Sequence, residues 1–181
     1  YLPGYFNRAL VNNYLHRPMA SLADFDKVIA IDSTNSLGYF NRAIVRSQIG
    51  DYNRALEDYN HVARYSPNNV LVYYNRAGLY SQTGEVEKAI ADYTHAIKLY
   101  PDFAYSYYNR ANLHAISGQL PEAYDDYTRA IELNPSFGEE YFKRGLVQIY
   151  MKDTRKGYLD LSKAGELGIM SAYEALKNYT E

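Results

Sequence analysis

The chain has 181 residues, with 19 basic against 21 acidic side chains and a net charge of −2. So balanced a charge supplies neither the electrostatic footprint of a nucleic-acid binder nor a polybasic segment for an anionic membrane, and no run of about 18 apolar residues is present to span a bilayer. The absence of cysteine excludes disulfides, thiolate catalysis and cysteine-ligated zinc while leaving the redox compartment open.

Hydrophobic residues make up 47% of the chain, enough for a sizeable packed core, and the 22 tyrosines can bury a ring while still offering a hydroxyl. The sequence opens at Tyr1, with neither a methionine nor a signal-like segment. It is expected to be a segment of a longer protein, so cellular location stays open.

In chain order the same motif returns five times: Tyr5-Phe6-Asn7-Arg8-Ala9, Tyr39-Phe40-Asn41-Arg42-Ala43, Tyr73-Tyr74-Asn75-Arg76-Ala77, Tyr107-Tyr108-Asn109-Arg110-Ala111 and Tyr141-Phe142-Lys143-Arg144-Gly145. Each copy starts 34 residues after the last, without insertion or deletion. A fixed period of this size signals a stack of one supersecondary unit. With the leading tyrosine counted as position 4, the repeats run over about 2–35, 36–69, 70–103, 104–137 and 138–171.

Within each repeat two helices are predicted. Gly50, Gly84 and Gly118 at position 15 mark the end of the first helix, because glycine tolerates the left-handed conformation of a helix terminus. Pro67, Pro101 and Pro135 at position 32 close the second. Small residues recur where the helices must approach: Ala or Gly at position 8, Ser, Ala or Gly at position 20, Val or Ala at position 27. Phe25, Tyr59, Tyr93, Tyr127 and Leu161 at position 24 fill the space around them.

Arginine stands at position 7 in all five repeats (Arg8, Arg42, Arg76, Arg110, Arg144) and aspartate at position 23 (Asp24, Asp58, Asp92, Asp126, Asp160). Both positions are eight residues from the turn centre, so in an antiparallel pair they lie at one height, about 12 Å from the turn. Fivefold recurrence predicts that they meet, within a repeat or across to its neighbour, in a partly buried pair that fixes register.

This order of small, aromatic, Gly and Pro positions resembles the tetratricopeptide repeat (TPR), over residues 2 to about 171. The departures lie at the ends: His16 and Lys152 replace the turn glycine, and Ser33 and Ile169 the closing proline. Residues from about 171 to 181, with Tyr173, Leu176 and Tyr179 on one helical face, resemble the solvating helix that caps such arrays. The resemblance implies an all-α, right-handed α-solenoid of antiparallel helix pairs, forming a single domain over residues 1–181.

It also implies that the first helix of each repeat lines a concave groove, with positions 2, 5, 6, 9, 12 and 13 exposed there. At position 6 stand Asn7, Asn41, Asn75 and Asn109, then Lys143. A side chain with both a donor and an acceptor, once per repeat, can grip the backbone of an extended peptide, and the row resembles the asparagine ladder of some TPR proteins. Beside it stand the rings of Phe40, Tyr74 and Tyr108, with Tyr105 and Asn112 as further groove residues together with Ser47, Gln48, Ser81 and Gln82. The carboxylate clamp of chaperone-tail binders does not fit: Phe40 and Ile44 stand where the first Lys and Asn of that clamp would be.

The four histidines (His16, His61, His95, His114) assemble no metal-ligand spacing, and no phosphate loop, nucleophile elbow or zinc-protease motif occurs. The pair Glu139–Glu140 opens a helix, where negative charge suits the dipole. The expected function is therefore a non-enzymatic interaction scaffold for a peptide or protein partner, with no cofactor, no nucleic acid and no membrane insertion. The alternatives are assembly by self-association, as a homo-oligomer, and an accessory regulatory region of a larger protein.

Overall fold

The computed structural model describes residues 1–180, with side chains up to Tyr179; Glu181, at the end of the predicted capping helix, lies outside the described residues. Among them eleven α-helices follow one another and no strand occurs: α1 Leu2–Tyr14, α2 Pro18–Ile31, α3 Ser36–Gln48, α4 Tyr52–Tyr65, α5 Val70–Gln82, α6 Val86–Leu99, α7 Ala104–Ile116, α8 Leu120–Leu133, α9 Gly138–Tyr150, α10 Thr154–Glu166 and α11 Met170–Thr180. The chain forms two compact halves, residues 1–92 and 93–181, with the division inside α6.

The odd-numbered helices α1 to α9 end alike. At the end of α3 the Asp51 amide donates to the Arg46 carbonyl and the Gly50 amide to the Ser47 carbonyl, the two bonds of a Schellman turn. Gly50, Gly84 and Gly118 take positive φ there, and His16 and Lys152 are forced into the same region, at φ 55° and 70°. Residues with a Cβ reach it only at a cost of roughly 1–2 kcal/mol. After α10 the chain departs from the expected Pro-closed turn: Gly168 (φ 95°) and the bond from the Ile169 amide to the Ala164 carbonyl make another Schellman turn.

In the N-terminal half α1 packs on α2, α3 on α4, α2 on α3 and α4 on α5. The small residues Ala9, Ser21, Val28, Ala43, Ala55 and Val62 are fully buried between them. Ser21 keeps its hydroxyl satisfied by donating 2.8 Å to the Ala9 carbonyl. Phe6 meets Phe25, and Phe40 meets Tyr59, edge to face at 5.8 and 6.0 Å.

In the C-terminal half α7 pairs with α8 and α9 with α10, α8 packs on α9, and α11 covers α10. Ala111, Ala123, Tyr127 and Val147 form one core cluster, and Leu161, Ala164 and Ala172 another. Helices α9 and α10 come close enough that a Cβ on Gly157 would lie 2.7 Å from the Gly145 carbonyl and 2.6 Å from Ile149. Tyr173 of α11 lies over Gly165, whose hydrogen leaves room for the ring.

The arginine–aspartate pairs form within each repeat. In all five the guanidinium clasps its aspartate through Nε and a terminal nitrogen, at 2.6–3.0 Å. The arginines stand 5.3–5.9 Å from the ring three residues before them, Tyr5, Tyr39, Tyr73, Tyr107 and Tyr141, so the recurrent Tyr-x-x-Arg string is a cation–π and ion-pair unit. Arg8 holds the Asp24 carboxyl below its usual range by hydrogen bonding. The last guanidinium nitrogen reaches back to position 25 of the preceding repeat: Arg42 to Asp26 (2.6 Å), Arg76 to Asn60 (2.7 Å), Arg110 to Thr94 (2.8 Å) and Arg144 to Thr128 (3.2 Å). Both expected directions of contact, within and between repeats, are therefore used by the same side chain.

Candidate functional site

The groove-side candidates lie on the first helices of the repeats. In the N-terminal half a cleft of about 340 Å³ opens between α3 and α5, with Asn75, Ser47, Gln48 and Gln82 among its lining and Ile44, Leu79 and Tyr59 as its apolar part. Gln82 donates 2.7 Å to the Tyr52 hydroxyl, and burial pushes the Tyr59 phenol up to about 12. These lining side chains carry no formal charge.

Asn41 and Asn75 each donate an amide hydrogen to the carbonyl four residues back, Leu37 at 2.8 Å and Leu71 at 2.7 Å. One of the two amide hydrogens is thereby committed to the helix, and the other, with the carbonyl oxygen, takes no part in that bond. Asn7 is exposed, and Asn109 and Tyr74 are half-buried. Phe40 is half-buried, and its edge-to-face contact with Tyr59 makes it a wall of the core as much as of a groove.

The C-terminal half has a cleft of about 460 Å³ between α7 and α9. Tyr108, Asn112 and Lys143 from the expected set line it, joined by Ile116, Leu120, Leu146, Val147 and Tyr150. At its floor the Tyr127 hydroxyl donates 2.6 Å to the Asn112 carboxamide oxygen, and Asn112 also bonds the Tyr108 hydroxyl. Burial raises both phenols, so they remain protonated donors at neutral pH. Lys143 stands at the rim, 3.7 Å from Glu139.

Tyr105 lies outside that cleft but beside it, edge-on to Phe137 at 6.2 Å, and Phe137 in turn is edge-on to Tyr108 at 6.1 Å. Phe137 and its counterpart Phe103 escaped the sequence reading. Position 34 would have shown them: it holds Asn35 and Asn69, then Phe103 and Phe137. The asparagines cap their helices, accepting from the Gly38 amide (2.8 Å) and the Leu71 amide (3.1 Å), whereas the phenylalanines provide no side-chain cap.

The dipole reading of Glu139–Glu140 needs correction. Glu139 is half-exposed, but Glu140 is buried, with one carboxylate oxygen lacking any partner, and desolvation pushes its carboxyl up to about 7. His61 stacks on Tyr39 at 3.7 Å and lies 4.5 Å from Tyr65, a packed position in which burial lowers its basicity. His114 bonds Gln119 at 2.6 Å. Among the described residues no group of three or more His, Cys, Asp or Glu side chains could hold a metal, and no helix is long and apolar enough to cross a membrane.

Family models for the tetratricopeptide repeat match residues 25–57, 45–84, 70–103 and 104–137, together an unbroken run over 25–137. This chain belongs to the tetratricopeptide-repeat family. No curated protein matches it in sequence. Solved TPR structures share the fold. A MamA crystal structure superposes with a TM-score of 0.85 at 20% identity over 92% of this chain and 91% of that one. MamA from Desulfovibrio magneticus RS-1, from residue 41 onward, gives 0.85 at 17% identity over 92% and 94%. YrrB, described as a TPR protein with an unusual peptide-binding site, gives 0.82 at 20% identity over 96% and 90%. The TPR fold thus places an α-solenoid of helix pairs under the side chains described above.

Proposed function

We propose that this TPR chain is a non-enzymatic interaction scaffold that binds an extended segment of a peptide or protein partner along the first helices of its repeats. The observation that carries the reading is the cleft between α7 and α9, where an apolar lining surrounds the Tyr127–Asn112–Tyr108 hydrogen-bond chain. Ligand sites combine a mostly apolar surface with a few oriented polar groups in this way. The α3–α5 cleft, with Asn75, Gln82 and Ser47, offers a second such surface in the N-terminal half. The peptide-binding site ascribed to YrrB, on the same fold, supports the reading by analogy.

The site residues proposed are Asn7, Asn41, Asn75, Asn109, Phe40, Tyr74, Tyr105, Tyr108, Asn112 and Lys143. A random-sequence peptide library displayed on phage tests the reading. Enrichment of binders that Asn112→Ala and Asn75→Ala weaken is expected. Binders indifferent to both substitutions, or no enrichment by the folded chain, would refute it.

A further inference from the structure

The helix α11 and the α7–α9 cleft share one side chain. Tyr150, the last residue of α9, lines the cleft beside Ile116 and Leu120. Its hydroxyl is hydrogen-bonded to that of Tyr179, near the end of α11. Tyr179 is held in turn by Tyr158 of α10, whose hydroxyl donates to the Tyr179 carbonyl. Three tyrosines from three successive helices thus meet at one corner, and one of them is a wall of the cleft.

The repeat shows why this corner matters to α11. The first helix of each repeat is tied to its partner helix by an arginine that clasps an aspartate. One period after Arg144 stands Asn178, exposed, so α11 lacks the guanidinium clasp. Its beginning is packed, with Ala172 buried against Leu161 and Ala164 and the Tyr173 ring over Gly165. Its far end is fastened through tyrosine hydroxyls. Tyr150 itself is 64% exposed, so packing does little to choose among its rotamers, and an exposed side chain exchanges them within nanoseconds. The bond to Tyr179 supplies the choice.

We propose that Tyr179 is a positioning residue for the α7–α9 cleft: its hydroxyl holds the Tyr150 ring as the cleft's wall, so that a bound peptide and an anchored α11 stabilise each other. The inference rests on the peptide-binding reading and adds a regulation of that site. A side chain entering the cleft immobilises less of the protein when the wall is already in place. A hydrogen bond of ordinary net strength shifts a rotamer equilibrium about fivefold, and apparent affinity follows the fraction in the competent form. Linkage is reciprocal, so the peptide favours the anchored state of α11 by a similar factor. Anything that draws the end of α11 away from α10 would lower affinity at the cleft without touching it.

The probe is a fluorescein-labelled peptide from the phage library, chosen because Asn112→Ala weakens it, and binding is read by fluorescence polarisation. Tyr179→Phe, which keeps the ring and removes the hydroxyl, should weaken the peptide about two- to fivefold. In a Tyr150→Phe background the same substitution should change nothing further, because the bond is already gone. Tyr173→Phe, on the same helix, should leave affinity at the parent level. In the free chain, carbon relaxation of the Tyr150 ring should show added motion in Tyr179→Phe. Saturating peptide should slow amide exchange at the end of α11 in the parent and lose that effect in Tyr179→Phe. A merely structural Tyr179 would lower the melting temperature of its variant and leave these binding and ring-motion readouts unmoved. Parent-level affinity or unchanged ring motion in Tyr179→Phe, or an equal loss in the Tyr150→Phe background, overturns this inference alone. A library that yields no peptide weakened by Asn112→Ala overturns the peptide-binding reading and this inference with it.

Discussion

Arg42 clasps Asp58 through two hydrogen bonds of 3.0 and 2.7 Å in a place where both side chains are nearly shielded from water. Arg46 adds a third bond to the same carboxylate at 2.7 Å. An anion held by two cations out of solvent depends on them, and they on it. Asp58→Ala is therefore expected to cost about 3–5 kcal/mol, because it leaves the shielded Arg46 guanidinium without its counter-charge and Arg42 with only the exposed Asp26. Asp24→Ala should cost less, since its partner Arg8 stands in solvent. Urea denaturation of the two variants checks the order; equal losses would contradict it.

Glu140 predicts a pH effect. Its carboxyl is pushed up to about 7 by burial, from an ordinary value of 4.5. The folded state therefore keeps a proton that the unfolded state releases, and stability falls as pH rises through this window. The penalty is absent below the ordinary value and complete above about 7, on the order of 3 kcal/mol. Glu140→Gln, which cannot ionise, should melt like the parent under acid conditions and above it in mild base. A difference in melting temperature that does not grow with pH would refute this.

His16 and Lys152 occupy the left-handed region at φ 55° and 70°, where their counterparts are glycine. Replacement of either by glycine should stabilise the chain by roughly 1 kcal/mol, the steric cost relieved outweighing the entropy glycine loses. Thermal or urea unfolding of His16→Gly and Lys152→Gly measures it.

Gly157→Ala should act in the opposite direction. The added methyl would meet the Gly145 carbonyl at 2.7 Å and the Ile149 side chain at 2.6 Å, forcing α9 and α10 apart. A loss of about 1–3 kcal/mol is expected. The same methyl is already present, fully buried, in Ala55, Ala89 and Ala123, so the penalty belongs to the closer approach of this one helix pair.

The fold was legible because its determinants repeat. Gly50, Gly84 and Gly118 marked the helix ends, and Arg and Asp at a fixed spacing of 16 fell at one height of an antiparallel helix pair, where they meet within each repeat. The candidate site was legible only in part. Asn75, Tyr108, Asn112 and Lys143 do line clefts, but the bonds of Asn41 and Asn75 to their own helices depend on rotamers that a sequence does not record. Glu140 was read from its place near a helix start. Its column of the repeat, with buried Gly38, Val72 and Ser106, would have shown an inward-facing position. Phe103 and Phe137 were passed over because loops invite a search for turn residues rather than rings.

The backward reach of each arginine has a consequence for how such a chain can grow. What receives that last nitrogen is a carboxylate in Asp26, a carboxamide in Asn60 and a hydroxyl in Thr94 and Thr128. The joint asks only for an oxygen at the right place. A copy of the 34-residue module spliced in or cut out would bring its own clasp and find a usable acceptor on whatever lies upstream. Duplication and deletion are thus chemically permissive edits, and the length of the array is free to drift without redesign of its seams.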